Sequence, residues 1–404
     1  MSLSINSEFG NLEMVLMHRP GKEIDRLTPY NKKLLLFEDV PYLEEMQREH
    51  DVFTRLIRES CGATVYFFHE LLLDVISDKA LLNELMQEAL MVSRLSHLTE
   101  ELLGVLSVEE CALALMAGIK VNEVRGKVSS GALSDLMDVA FLIPPCPNLY
   151  FQRDTAAVVP GGMLFSSMRL PERQREANMV RRIFENHPLF KDNILRNYPL
   201  DSHPNPPSLE GGDVIILSEK AVAIGFSERT EEKAIYHVAK SLIAGGKVER
   251  IYEVHLPKKR NFMHLDTVFT ILDKNRVLTY PDAIQSVQKI SLYTQKEDSG
   301  DQVHIKRTIL QEPLRMILKK EIRGLEIIGT DKVNQEYAMR EQWFDGANVF
   351  TIGPGKVISF NRNKHTNRAL RDHGVEVFEI PSSELSRGLG GPRCMSMPIS
   401  RSKV

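Results

Sequence analysis

Short strand–turn–strand patterns recur along this chain of 404 residues, and they constrain its fold more than any other feature. In each copy, a run of β-branched and apolar residues leads through a turn or a few polar residues to a second apolar run. The four clear copies begin at Thr155, Asp213, Thr267 and Asn348. A looser copy opens the chain at residues 14–18. The pattern therefore predicts one supersecondary unit that is used five times.

Five such units predict a radial α/β architecture with five-fold pseudo-symmetry. In such a ring, the polar residues just ahead of each first strand would surround one central pocket. Chemistry that is distant in sequence would then meet in space. The alternative is an α/β domain with ordinary hairpins, in which those residues stay apart.

One stretch of the chain does not follow the repeat. No proline occurs between Pro41 and Pro144, and leucine and methionine recur there at helical spacing. We therefore expect residues 70–143 to form an inserted helical subdomain. Residues 1–69 and 144–404 are expected to form the catalytic unit, and 404 residues exceed the usual size of a single core.

Composition and charge exclude several classes of protein. The net charge is only -3, and no basic stripe with interleaved aromatics is present, so no nucleic-acid partner is expected. No run approaches the roughly 18 apolar residues that span a bilayer, which argues against a membrane partner. The first residues lack an export signal, and the four cysteines show no CxxC spacing. These features predict a cytoplasmic location.

Cys394 lies in the glycine-rich loop Leu389–Ser396. An isolated cysteine is more often a small buried side chain than a nucleophile. In this loop, however, the glycines allow close backbone approach, and backbone amides could stabilise charge. A thiol with an ordinary pKa near about 8.5 needs a neighbouring cation to ionise at neutral pH. Arg393 or a cationic substrate could supply that charge.

Three polar clusters precede other predicted strands, and they contain Asp154, Glu210 and the pair His264 and Asp266. We predict that His264 and Asp266, two residues apart on one strand, face the same side. The histidine could then act as a general acid and base. The alternatives are a hydrogen-bonded histidine at a strand edge, a zinc pair, and carboxylates paired with an arginine or a turn amide. Several anions around one cysteine favour a planar cation such as guanidinium.

With these residues the chain resembles the arginine deiminase family. The resemblance runs over nearly the whole length in separated motifs. The motifs are Pro147–Phe151, Arg153–Asp154, Leu209–Asp213, Glu228–Thr230, Met263–Thr270, Glu341–Trp343, Asn361–Asn363 and Arg393–Pro398. It implies a pentein-type α/β propeller of five units with an inserted helical bundle. It also implies hydrolysis of L-arginine to L-citrulline and ammonia, without a metal or an organic cofactor.

By motif, the resemblance also implies the roles of individual residues. Cys394 would be the nucleophile and His264 the acid and base. Asp154 and Asp266 would hold the guanidinium, and Glu210 would hydrogen-bond near His264. The implied substrate-binding residues are Asn148, Phe151, Arg173, Arg229 and Asn348. Arg175 is an alternative to Arg173.

The chain departs from the family pattern at Leu389, where many members carry an arginine that reaches the substrate. The departure concerns recognition of the substrate carboxylate, while the residues of the attack chemistry are present. One alternative function is a related guanidine or ureido hydrolase acting on agmatine, a methylated arginine or citrulline, or a dihydrolase that carries arginine through to ornithine. Another is a non-catalytic protein that binds arginine. A homo-oligomer, dimeric or larger, is expected.

Overall fold

Short strands separated by helices and turns make up the protein, and a computed structural model describes residues 3, 5–128, 133, 136–137, 140–192, 206–287, 289–296, 303–329 and 335–404. The described strands are β1 (Leu12–Met17), β2 (Thr64–Phe67), β3 (Ile119–Lys120), β4 (Phe141–Ile143), β5 (Ala156–Val159), β6 (Gly162–Phe165), β7 (Val214–Ser218), β8 (Ala221–Phe226), β9 (Arg250–His255), β10 (Phe269–Ile271), β11 (Arg276–Thr279), β12 (Ile290–Gln295), β13 (Ile305–Leu310), β14 (Glu326–Gly329), β15 (Phe350–Gly353), β16 (Lys356–Phe360), β17 (Glu376–Ile380) and β18 (Met397–Arg401). The described helices are α1 (Lys22–Asp25), α2 (Leu43–Cys61), α3 (Phe68–Ile76), α4 (Lys79–Met91), α5 (Thr99–Val105), α6 (Val108–Ala117), α7 (Val121–Val124), α8 (Gln152–Thr155), α9 (Pro171–Asn186), α10 (Glu232–Ala244), α11 (Pro281–Ser286), α12 (Leu314–Glu321), α13 (Gln335–Trp343) and α14 (Lys364–Asp372).

The predicted hairpins are present, and most of them belong to one repeated arrangement. In the sheets β7–β8–β9, β10–β11–β14 and β15–β16–β17, an antiparallel hairpin is followed by a third strand parallel to its second strand. A helix lies between the hairpin and that third strand, as parallel pairing requires a crossover. The first of these sheets is extended by β12 and β13. The hairpin β5–β6 forms a further two-stranded sheet.

The looser copy at the start of the chain completes its sheet with the last strand. β1 pairs antiparallel with β18 and parallel with β2, which gives the same three-stranded arrangement. The two ends of the chain thus share one sheet, and this places the loop of Cys394 just ahead of a first strand, as in the other units.

The central strands are buried on both faces. Every residue of β5 and β6 is buried, as are nearly all residues of β7 and β8. In the sequence, strands that are covered on both faces appear as continuous apolar runs and not as an alternation of apolar and polar residues. This explains why the sequence shows the strands as blocks such as Val214–Leu217.

Helices α3 to α7 occupy the stretch between β2 and β4. α6 begins with a capping box, in which Ser107 accepts from the amide of Glu110 and the Glu110 carboxylate accepts from the amide of Ser107. The leucines of α4 and α5 belong to the same apolar core as α9 and β5. The helical region therefore shares one apolar core with α9 and β5. Within the described ranges, every helix is too short or too polar to cross a lipid bilayer.

A short turn precedes the first strand of each unit. Helix α8 leads into β5, and the turns Gly211–Asp213 and Leu265–Thr267 lead towards β7 and β10. Turns at 344–347 and 392–395 stand ahead of β15 and β18. These turns position the polar residues that the sequence predicted to converge.

Candidate active site

The turns ahead of the first strands bring the predicted catalytic side chains together. His264 Nε2 lies 2.7 Å from Glu210 Oε2, and His264 Nδ1 lies 3.6 Å from Asp154 Oδ1. Cys394 Sγ lies 3.7 Å from Asp266 Oδ2. All five residues are buried, with Cys394 only 5% exposed. Residues separated by up to 240 positions in sequence therefore form one cluster.

His264 and Asp266 reach this cluster from a turn and not from a strand. The 3-10 turn Leu265–Thr267 follows His264 and precedes β10, so the prediction that both residues lie on one strand is wrong. The hydroxyl of Thr267 donates to the carbonyl of His264 at 2.7 Å. The amide of Leu265 donates to the carboxylate of Asp213 at 2.9 Å. These bonds fix the turn and hence the direction of the imidazole.

The surroundings of His264 stabilise its charged form. Burial opposes the charge, but Asp154, Glu210 and Asp213 outweigh it and raise the pKa of His264 to about 9. Burial likewise opposes ionisation of Glu210, yet its hydrogen bond with His264 and the nearby charge of Arg229 lower its pKa to about 2. At neutral pH the two groups form a buried ion pair, and the imidazolium carries a proton that it can donate.

The surroundings of Cys394 stabilise its neutral form. Burial and the carboxylates of Asp266, Asp154 and Asp345 raise the pKa of its thiol well above the ordinary value. The adjacent Arg393 does not compensate, because its guanidinium binds Asp266 at 2.8 Å and Glu8 at 3.2 Å. The thiol of Cys394 is therefore neutral at neutral pH.

Asp154 and Asp266 each accept a hydrogen bond from an arginine of the protein through one carboxylate oxygen. Oδ2 of Asp154 accepts from Arg173 at 2.6 Å, and Oδ2 of Asp266 accepts from Arg393 at 2.8 Å. The Oδ1 atoms of both are buried and accept no hydrogen bond from any of the described residues. A buried carboxylate oxygen without a donor is costly. The site thus offers two such acceptors to a ligand with several N–H groups.

Two motif glycines are required by close contacts. A Cβ atom at Gly212 would lie 2.6 Å from His264 Nδ1 and 3.1 Å from Asp154 Oδ1. A Cβ atom at Gly391 would lie 2.6 Å from the backbone carbonyl oxygen of Asn348. The two distances of 2.6 Å are too short for a side chain, so the glycines allow the turns to approach one another.

The two predicted arginines of the substrate-binding group differ in their availability. Arg173 donates to Asp154 at 2.6 Å and to Glu176 at 2.8 Å, so its guanidinium is occupied within the protein. Arg229 is buried, and its Nε and Nη1 donate to none of the described residues. Its Nη1 lies 3.8 Å from Glu210 Oε1. The alternative Arg175 binds the carbonyls of Pro144 and Leu115, apart from the catalytic cluster.

The other three predicted substrate-binding residues support the site from within. The amide of Asn148 donates to the carbonyl of Leu35 at 2.8 Å. Asn348 connects Cys394 with Asp266, because its Oδ1 accepts from the amide of Cys394 at 3.0 Å and its Nδ2 donates to the carbonyl of Asp266 at 3.1 Å. The ring of Phe151 is buried beside the glycine-rich loop.

The sequence interpretation missed several buried charges at the site. Asp213 orders the turn of His264, and Glu8 pairs with Arg393 across 385 residues of sequence. No local pattern marks such a long-range pair. Asp345 stands in the turn ahead of β15, so its position in the repeat was a usable signal.

One set of donor atoms has distances that suit a metal ion. Asp154, Glu210 and His264 each offer an atom, and these atoms lie within 4.8 Å of one another. However, the guanidinium of Arg173 already binds Asp154, and its charge opposes a second cation there. A further set is Glu232, Glu253 and His255. There Arg307 donates to both glutamates, so a protein cation occupies the space.

The fold and the site define an α/β protein with a buried thiol, an imidazolium and two carboxylates that each have one oxygen without a hydrogen bond from the described residues. This combination suits covalent chemistry on a cationic substrate. The sequence profile described as arginine deiminase matches residues 33–401, and the chain belongs to that family. An arginine deiminase of Bacillus cytotoxicus is 39% identical over 414 residues, which cover 100% of this chain and 99% of the relative.

Solved structures show the same fold at low sequence identity. The N-terminal domain of ArgZ, an arginine dihydrolase from cyanobacteria, matches with a TM-score of 0.56 and 15% identity over 96% of this chain and 97% of that domain. AgrE, solved with ornithine and NAD+, matches with a TM-score of 0.57 and 14% identity over 97% of this chain. The match covers 40% of the AgrE chain. The fold class predicted from the resemblance is confirmed at this level, as an α/β fold shared with these enzymes.

Proposed function

We propose that this protein hydrolyses L-arginine to L-citrulline and ammonia through a covalent bond between Cys394 and the guanidinium carbon. The observation that carries the proposal is the placement of the thiol next to two carboxylates whose Oδ1 atoms lack donors, with a protonated histidine beside them. Full-length similarity to an arginine deiminase of 39% identity supports the same substrate.

Binding of a cationic substrate supplies the positive charge that favours ionisation of the Cys394 thiol. A guanidinium has five N–H donors in a planar fork, and it would bind the free Oδ1 atoms of Asp154 and Asp266. Those carboxylates are among the charges that raise the pKa of Cys394, so their neutralisation lowers it. The thiol proton then passes to solvent, and a thiolate faces the electrophilic carbon. The nucleophile is thereby activated only when the substrate is present.

The first half of the reaction forms the covalent intermediate. The sulfur of Cys394 attacks the guanidinium carbon, and a C–S bond forms. His264, protonated at neutral pH, donates its proton to the departing nitrogen, so that the C–N bond breaks and ammonia leaves. The carbon remains attached to sulfur as a thiouronium cation, still held by the two aspartates. General acid assistance of this kind is worth roughly 10²–10⁴-fold.

The second half consumes water. His264, now neutral, takes a proton from a water molecule, whose oxygen attacks the thiouronium carbon. The C–S bond breaks, the hydroxyl bound to the carbon loses its proton to the departing sulfur, and the C–O bond becomes the ureido carbonyl of citrulline. Cys394 thereby returns to its neutral thiol. Division into two displacements replaces one difficult step with two easier ones.

At the amino-acid end of the substrate, we assign the carboxylate to Arg229. Its Nε and Nη1 are buried without hydrogen bonds to any described residue, so both can donate to the substrate carboxylate. These charge-assisted bonds would offset the repulsion between that carboxylate and the nearby Glu210. Arg173 instead holds Asp154 in place. Asn148, Phe151 and Asn348 shape the site through contacts within the protein, and their predicted contacts with substrate remain proposals.

The finer architecture belongs to the same proposal. We propose that the five units close into a pentein-type propeller with five-fold pseudo-symmetry around the site, with residues 70–143 as the inserted helical subdomain. The turn ahead of each first strand contributes a residue to the site, and this supports the arrangement. A cytoplasmic homo-oligomer that uses L-arginine, with no nucleic-acid, membrane, metal or organic cofactor requirement, remains our prediction.

The test is product analysis with purified protein and L-arginine, in the presence of EDTA. Citrulline, ornithine and ammonia are quantified for the wild type, Cys394→Ala and the control Cys61→Ala. Cys61 is a partly buried cysteine at the end of α2. Equal amounts of citrulline and ammonia, lost only in Cys394→Ala, are expected.

Other outcomes would assign a different function. Ornithine with two equivalents of ammonia would indicate a dihydrolase. Turnover of agmatine or a methylated arginine in place of arginine would indicate a related guanidine hydrolase. Thermal stabilisation by arginine without any product would indicate a binding protein. Activity that survives Cys394→Ala would refute the covalent mechanism, and activity that disappears with EDTA would refute the prediction that no metal is required.

A further inference from the structure

A second pocket, with a free volume of about 240 Å³, lies between α13 and the N-terminal end of α14. None of the predicted catalytic residues lines it. Basic side chains dominate the lining, and they belong to Arg340, Arg362, Lys364 and His365. Parts of two sequence motifs, at 341–343 and 361–363, contribute to it, and the catalytic scheme uses neither motif.

The positive charges of this pocket are not balanced within the protein. Among the described residues, none forms an ion pair with Arg340 or Lys364. Of the described residues in the lining, only Glu341 is acidic. Its carboxylate accepts from two backbone amides at the start of α14, each at 2.8 Å, so it is turned towards the helix. The permanent cations of the pocket therefore outnumber its carboxylates.

Arg362 is held in a fixed position at the pocket. Its guanidinium lies over the ring of Phe344, 3.5 Å from the centroid. Its Nη1 donates to the hydroxyl of Ser386, and its other N–H groups donate to none of the described residues. Burial, with the nearby charges of Arg387 and Arg340, lowers the pKa of Arg362 below its ordinary value. A bound anion would relieve this repulsion, and a guanidinium already held in place loses little entropy on binding.

The directions of the cations favour a phosphate over a carboxylate. Arg340 reaches the pocket from α13, whereas Arg362 and Lys364 reach it from the opposite side, at the start of α14. A phosphate has oxygens that point in several directions and accept from several cations, whereas one arginine fork matches a planar carboxylate. The pocket is many times larger than the roughly 30 Å³ of one water molecule, so it admits a whole phosphoryl group.

We propose that the pocket between α13 and α14 binds a phosphate-bearing anion through Arg340, Arg362 and Lys364. The inference does not rest on the proposed function, because the pocket and the catalytic cluster share no residue.

The variants for the test are Arg340→Gln, Lys364→Gln and the combination of both. The two positions are exposed, so these substitutions remove charge without disturbing the core. The matched control is Arg368→Gln, which removes one positive charge from the same helix α14. Its side chain is 84% exposed and pairs with Asp372 at 3.9 Å. All proteins are checked for a wild-type melting temperature, and if one single variant does not fold, the other still decides the test.

The measurement is isothermal titration calorimetry with pyrophosphate, at an ionic strength held constant with sodium chloride. A charge-assisted hydrogen bond is worth about 10–100-fold in affinity. We expect pyrophosphate to bind once per chain and each single variant to raise the dissociation constant by about that factor. The double variant should show no binding, and Arg368→Gln should stay within about twofold of the wild type. Malonate, a dicarboxylate with the same number of anionic groups, should bind more weakly than pyrophosphate.

Several results would overturn the proposal. No binding of pyrophosphate by the wild type would mean that the pocket is only a solvated basic surface. An equal loss in Arg340→Gln and Arg368→Gln would indicate general attraction to positive charge. Undiminished binding by the double variant would place the anion elsewhere, for example at Arg229. Equal affinity for malonate would contradict the preference for phosphate.

Discussion

Gly212 offers a test of the site geometry that leaves every charge in place. In Gly212→Ala, the new Cβ atom would lie 2.6 Å from His264 Nδ1, whereas an ordinary contact begins at 3.4 Å. The ring or the turn must therefore move by about 0.8 Å. The imidazole is also held by Glu210 on its other nitrogen, at 2.7 Å, so the displacement strains that bond as well.

A displacement of about 1 Å in a catalytic group costs about 100-fold in rate. We therefore expect kcat for citrulline formation to fall by about 100-fold. Overpacking of this kind destabilises a protein by about 1–3 kcal/mol, so the variant should remain folded. Steady-state kinetics with L-arginine and chemical denaturation measure the two quantities on the same preparation.

Gly104→Ala is the matched control. Gly104 lies inside α5, and a Cβ atom there would meet nothing within 4 Å. We expect unchanged kcat and a stability gain of about 1 kcal/mol from helix propensity. Wild-type kcat in a folded Gly212→Ala protein would refute the reasoning that this glycine is required by the position of His264.

Three further predictions follow from individual contacts. Glu210→Gln removes the carboxylate that charges His264, so the pKa of His264 should fall from about 9 towards its ordinary value, measured by NMR titration of the ring. The alkaline limb of kcat/KM, on which the general acid loses its proton, should move to lower pH with it. Asn348→Ala leaves the buried amide of Cys394 without its acceptor, so it should lower the free energy of unfolding by about 1–3 kcal/mol in denaturant titrations. Alkylation of Cys394 by iodoacetamide should be slow at neutral pH and rise only above pH 9 in the empty enzyme, because the pKa of the thiol lies well above that value.

Each of these predictions has a contrary result. An unchanged pKa of His264 in Glu210→Gln would show that Asp154 and Asp213 alone maintain it. A raised KM with unaltered stability in Asn348→Ala would favour the substrate contact that the sequence predicted for Asn348. Rapid alkylation at pH 7 would mean that the thiolate exists without substrate, and the role given to the substrate charge would be wrong.

The local elements were predictable because their causes are local. The hairpins at β7–β8 and β15–β16 follow from apolar runs separated by turn residues, and both are present. The capping box at Ser107 also formed as its spacing indicates. The side chains of the attack chemistry were predicted from motifs whose residues lie next to one another, such as Arg393 and Cys394.

The sequence by itself determined that the chain builds repeated strand units with polar residues ahead of the strands, and which residue types are available for chemistry. Tertiary structure decided their charge states and partners, because these depend on burial and on groups that are distant in sequence. Glu8 and Arg393 meet across the whole chain, which turns Arg393 towards carboxylates and leaves Cys394 neutral. Asp345 likewise meets Asp266, Asp154 and His264 only in the folded chain.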